Sequence, residues 1–218
     1  MQGADEWDHV AGLVSQHDAE LKECATPRDF FQWAQDHKLA TKTKFPKFKT
    51  ELRKQLGVDY DELREKTRAE ANERAQQEVE ELTEKAEEGP RIVLTAAGDA
   101  EVDSYAVCYG DKVAWYGEFF PDDKGYTKGD QTSADTEAMK KAVWLAAKAK
   151  EELGLDTLML ELHVLNHEVP TPTRACAKAG LGLDFHIDDT AEIALEWARE
   201  NGFQSWREVA LKDLLAAK

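Results

Sequence analysis

The tripeptide Glu88-Gly89-Pro90 divides this chain into two textures, and any fold must accommodate both. A glycine followed by proline ends a helix, because proline lacks an amide hydrogen and pushes the residue before it into extended backbone. Ahead of the break, apolar residues fall at helical spacing among dense charge. Beyond it, short runs of β-branched and aromatic residues alternate with polar ones in the two-residue rhythm of strands. The break predicts a helical N-terminal region over 1–88 and an α/β domain over 91–218 that ends in a helical extension. At 218 residues, 42% hydrophobic and 33% charged, the chain can bury one good core or two small ones.

Within the helical region, residues 1–25 are weakly patterned. Thr26-Pro27-Arg28-Asp29 reads as a helix start, with Thr26 as cap and proline in the first turn. A basic link leads to a second helix beginning near Pro46 and stopping at Gly57. Asp59 and Glu62 have capping-box spacing and open a third helix to about Glu87. Its stripe of Leu63, Thr67, Ala71, Ala75, Val79, Leu82 and Ala86 is narrow. It suits a protein partner along helix 60–87, or the surface of its own domain, and its central alanines make an independent coiled coil weak.

After Pro90, Arg91–Ala97, Asp103–Gly110 and Asp111–Phe120 read as three strands, with Gly110-Asp111 as the hairpin turn between the last two. A polar loop precedes a helix over Asp135–Glu152, which Gly154 stops. A fourth strand follows at Asp156–Val164, a short helix within 169–180, and a fifth strand at Leu181–Ile187. Asp189 with Glu192, and Ser205 with Glu208, have the spacing of caps for two closing helices.

That order resembles the ribonuclease H-like superfamily: three antiparallel strands, a helix, a parallel strand, a helical segment, a fifth strand and a closing helix. The resemblance covers about Arg91 to Gly202. It implies a mixed five-stranded sheet with flanking helices and a set of carboxylates that holds two divalent ions for phosphodiester cleavage. Glu137 matches the acidic residue at the start of the first helix. Alanine stands where the first strand should end in aspartate, leaving Asp99, Glu101 and Asp103 nearby. The fourth strand offers Glu161 or His163, and Asp188, Asp189 and Glu192 precede the last helix. A displaced catalytic and metal-binding set would be Asp99, Glu137, Glu161 and Asp188 with Mg²⁺ or Mn²⁺. Lacking the first carboxylate, the pattern implies shared architecture more than shared chemistry, hence a binding or assembly module without a cofactor.

A net charge of -16 opposes loose attraction to nucleic acid. A local patch remains: Lys42, Lys44, Lys47, Lys49, Arg53 and Lys54 are the candidate nucleic-acid contacts, and a solvated basic face is the plainer reading. A third reading is a protein–protein regulator with no nucleic-acid role. No apolar run approaches the ~20 residues of a membrane span, so no membrane association is expected. The three cysteines are scattered, as in a reducing, cytoplasmic setting.

A second constellation is Glu161, His163 and His167 with Asp184, His186, Asp188 and Asp189. Glu161 and His163 share a strand face, as do Asp184 and His186. If the two strands adjoin, imidazole and carboxylate together suit zinc, manganese or iron. The plainer reading is polar residues at strand ends. Asp99, Glu101 and Asp103 read more simply as a solvated turn than as a hard-cation site, and Tyr105, Tyr109, Trp115 and Tyr116 more simply as core than as a base-stacking surface.

Overall fold

The computed structural model describes residues 2–216, and the chain divides into two compact units between Glu73 and Arg74. The first unit is helical: α1 (Gln2–Gln16), α2 (Asp18–Glu23), α3 (Pro27–Asp36), α4 (Lys44–Glu51), a π turn at Leu52–Leu56, and the start of α5 (Tyr60–Ala86). Helix α3 begins as its sequence dictates. Thr26 accepts from the Asp29 amide while the Asp29 carboxylate accepts from the Thr26 amide, with proline in the first turn. Gly57, at φ 70°, ends the π turn in the left-handed conformation that glycine adopts without a Cβ penalty. The weakly patterned N-terminal stretch holds α1 and α2. Their Val10, Val14 and Leu21 share a core with Phe30, Trp33, Phe48 and Leu52.

The second unit holds β1 (Arg91–Asp99), β2 (Ser104–Tyr109), β3 (Lys112–Glu118), α6 (Gln131–Glu152), β4 (Met159–Val164), α7 (Thr173–Ala179), β5 (Gly182–Ile187) and α8 (Glu192–Ala198). The strands form one sheet in the order β3-β2-β1-β4-β5. β2 pairs antiparallel with both β1 and β3, β4 pairs parallel with β1, and β5 parallel with β4. This mixed five-stranded sheet with flanking helices, preceded by an all-helical region, is the expected architecture, and its topology resembles the ribonuclease H-like arrangement.

Alternation along the strands sorts residues between two faces. Ile92, Leu94 and Ala96 of β1 and Leu160, Leu162 and Val164 of β4 join Ala138, Ala142, Leu145, Ala146 and Ala149 of α6 in the main core. The C-terminal half of α5 belongs to this unit: Ala75 and Val79 enter the same core, and Thr83 bonds the backbone of Leu183 on β5. On the opposite face, Ala97, Ala106, Cys108 and Val113 pack against Ala194 and Ala198 of α8.

Several boundaries differ from the sequence expectation; the fourth strand, for one, begins at Met159 rather than Asp156. Helix α6 starts at Gln131 rather than Asp135, because Asp130 caps it through the Ser133 amide. Asp188, not Asp189, accepts from the Thr190 amide ahead of a 3-10 turn that leads into α8. The Ser205–Glu208 capping box is present, yet the chain makes only 3-10 turns at Trp206–Glu208 and Leu211–Leu214, since Val209 returns to extended backbone.

Candidate functional site

The corner where β1, β4 and the start of α6 meet is where the resemblance would put an acidic centre. Helix α6 crosses β1 there at Gly98. A Cβ added to Gly98 would lie 2.8 Å from the Cβ of Ala134 and closer still to its carbonyl, so no side chain fits. Asp135, buried in α6, accepts from the Gly98 amide at 3.0 Å and from the side-chain amides of Gln131 and Asn166, both at 2.9 Å. Gln131 also donates to the Gly98 carbonyl at 2.8 Å. Both oxygens of this carboxylate are taken by neutral donors.

The four carboxylates singled out in the sequence go to three places. Asp99 lies on the strand face opposite α6, where Arg199 Nε donates to it at 2.7 Å and the amides of Glu101 and Val102 at 2.8 and 3.3 Å. Burial alone would raise its pKa, but Arg199 and the two amides together hold it below the ordinary aspartate value. Glu137 sits two residues beyond Asp135, about 200° around the helix, and bonds Lys140 at 2.8 Å. Glu161 and Asp188 do come together, through His163.

That meeting point is the most organised polar site among the described residues. β4 and β5 pair in parallel with Glu161 opposite Asp184 and His163 opposite His186, so all four side chains emerge on one face. His163 is nearly buried; its Nδ1 lies 2.9 Å from Asp188 and its Nε2 3.2 Å from Glu161 Oε1. The rings of His163 and His186 stack at 4.7 Å, and His186 Nε2 lies 2.9 Å from Asp184. Arg91, on the neighbouring β1, bonds the other oxygen of Glu161 and reaches Asp184 at 3.2 Å. Burial disfavours the His163 cation, but Asp188 and Glu161 outweigh it and raise its pKa. For Glu161, burial pushes upward while Arg91 and His163 prevail and lower it.

No family model, curated protein or solved structure gives a significant match to this chain.

Neither His167 nor Asp189 is joined to this network by a hydrogen bond or ion pair among the described residues. Asp99, Glu101 and Asp103 diverge, with Asp103 bonded to Lys128 and Tyr126. Tyr105 is fully buried, in the core. In the basic segment, Lys47 pairs with Glu6, Lys49 with Asp61 at 2.6 Å, Arg53 with Asp59 at 3.5 Å and Lys54 with Glu51 at 3.1 Å. No helix among the described residues is long and apolar enough to cross a membrane.

Sequence reasoning missed Arg91, Asp135, Asn166 and Arg199, whose partners lie far along the chain. It also missed His17, Glu20 and His37, whose ligand-type atoms lie within 4.8 Å of one another in the helical unit. The only local signal there is His17 three residues before Glu20, one turn of helix.

Proposed function

We propose that the α/β unit is a ribonuclease H-like domain that works as a binding or assembly module in a nucleic-acid context, without two-metal phosphodiester cleavage. The observation that carries this reading is the corner at Gly98. Two-metal hydrolysis needs carboxylate oxygens free to bridge cations about 3.5–4 Å apart. Here alanine stands where the first strand should end in aspartate, no side chain fits at Gly98 beyond it, and Asp135 is committed to Gly98, Gln131 and Asn166. Asp99 is neutralised by Arg199 on the other face.

The nucleic-acid context rests on Lys42, Lys44, Lys47, Lys49, Arg53 and Lys54. Their carboxylate neighbours mean that a phosphate must compete for them. Binding is therefore weak and steeply salt-dependent. The rival reading is an active nuclease using Asp99, Glu137, Glu161 and Asp188 with Mg²⁺ or Mn²⁺.

The test incubates the full chain with labelled single-stranded RNA, DNA and RNA–DNA hybrid, with Mn²⁺ or EDTA, beside Glu137→Gln. The expected result is no metal-dependent cleavage, with retention of nucleic acid that falls as salt rises and when Lys42, Lys44, Lys47 and Lys49 are neutralised. Cleavage that needs both the metal and Glu137 would replace this reading with the nuclease. No cleavage and no salt-sensitive retention would leave a protein–protein regulator, as the overall charge favours.

A further inference from the structure

The sheet-face network on β4 and β5 contains Glu161, Asp184 and Asp188, with Arg91 as the one arginine or lysine bonded to them among the described residues. Such a surplus of carboxylates beside two stacked imidazoles is poorly balanced by protein groups alone. One ligand-type atom each from Glu161, His163 and His186 lies within 4.8 Å of the other two.

We propose that Glu161, His163 and His186 bind a divalent zinc ion, with Asp188 as a positioning residue for His163. This inference is independent of the module reading above, since it needs neither nucleic acid nor the basic segment.

The donor set selects the metal. Two imidazoles and a carboxylate suit zinc, whereas magnesium and calcium favour all-oxygen shells. Zinc ligands sit about 2.0–2.2 Å from the ion, so tetrahedral neighbours lie roughly 3.4 Å apart. Glu161 Oε1 and His163 Nε2, at 3.2 Å, already have that separation. The largest closure falls to His186, 40% exposed on the open side of the sheet, whose ring would have to turn from its pairing with Asp184 to meet the ion.

The surrounding groups hold the ligands in the required states. Asp188 engages Nδ1 of His163, which directs Nε2 toward Glu161 in the carboxylate–histidine–metal relay common at zinc sites. Arg91 occupies Oε2 of Glu161 and leaves Oε1 to face the histidine. Three protein ligands on a partly exposed face leave a fourth position for water or an incoming donor.

The cluster of His17, Glu20 and His37 is the internal control. Its carboxylate is 60% exposed, and the oxygen facing His17 also accepts from Trp33 at 3.2 Å. No second carboxylate orients either of its histidines among the described residues.

The experiment titrates the chelator-stripped full chain with Zn²⁺ against a chromophoric competitor, and separately with Mg²⁺. It compares the unaltered protein with Glu161→Gln, His186→Gln, Asp188→Asn and His17→Gln, each checked for folding by circular dichroism. Co²⁺ spectra of the same proteins report tetrahedral geometry. Expected is one zinc per chain, at least tenfold weaker in Glu161→Gln and His186→Gln, about tenfold weaker in Asp188→Asn, and unchanged in His17→Gln. His186→Gln is the decisive variant, because its 40% exposed ring lies outside the hydrophobic core. Zinc binding undiminished in folded His186→Gln, abolished by His17→Gln alone, or no tighter than magnesium binding would overturn the proposal.

Discussion

The two faces of β4 are made from alternate residues of one six-residue strand, yet they behave as different materials. Leu160, Leu162 and Val164 enter the core under α6, fully desolvated. Glu161 and His163, their immediate neighbours, enter a charged network that stays partly wet. The apolar face gains its stability from area removed from water. The polar face gains little, because each ion pair there repays desolvation with Coulomb attraction that solvent weakens. The first face specifies the fold and the second is free to do chemistry.

That contrast is open to direct attack. Leu160→Ala empties part of the main core, and urea unfolding should show a loss of about 2–5 kcal/mol. Gly98→Ala asks how tightly α6 sits on β1. The added methyl meets Ala134, and the expected cost is about 1–3 kcal/mol with the slope of the unfolding curve unchanged; a neutral result would show that α6 can shift away. On the opposite face, Asp99→Asn keeps the shape and removes the charge facing Arg199. A loss of about 1–2 kcal/mol is expected, toward the low end because Arg199 is mostly exposed.

Asp99 should also leave a signature in pH. Its pKa in the folded state is depressed, so its contribution is present above the ordinary aspartate value of 3.8 and is lost as pH falls through the lower folded value. The stabilities of Asp99→Asn and the unaltered chain should therefore converge in acid. Glu161→Gln, in chelator, should have the smallest effect, under about 1 kcal/mol, since Arg91 retains Asp184 and His163 retains Asp188. A cost matching that of Leu160→Ala would erase the distinction between the faces.

The sequence carried much of this fold and less of its site, for a shared reason. Local signals act over a few residues: Thr26 capping α3, Gly57 ending the π turn, Gly110 turning the hairpin at φ 55°, and alternation in β1 to β3 all follow from neighbours. Helix α1 escaped notice because its apolar residues make sense only beside Phe48 and Leu52. The terminal capping box opens a single 3-10 turn and no helix, because capping fixes where a turn begins and not how long it lasts. In the candidate site, the faces of Glu161 with His163 and of Asp184 with His186 followed from strand periodicity. The parallel register that brings them together, and the arrival of Arg91 from β1, are tertiary facts. Asp135 and Asn166 carry no local mark of their contact, which closes across the loop after β4.

The contact between Gly98 and Ala134 has one more consequence. A helix resting on bare backbone works as a ratchet. While a side chain stands between them, the helix is held off and the strand position can carry any group that fits. Once the gap is gone, an aspartate placed at Gly98 must lift α6 and reopen the core beneath it. Rebuilding an acidic centre at this corner therefore cannot begin with a carboxylate at Gly98. It must begin by moving the backbone of α6 away from β1, with the acidic residue introduced last.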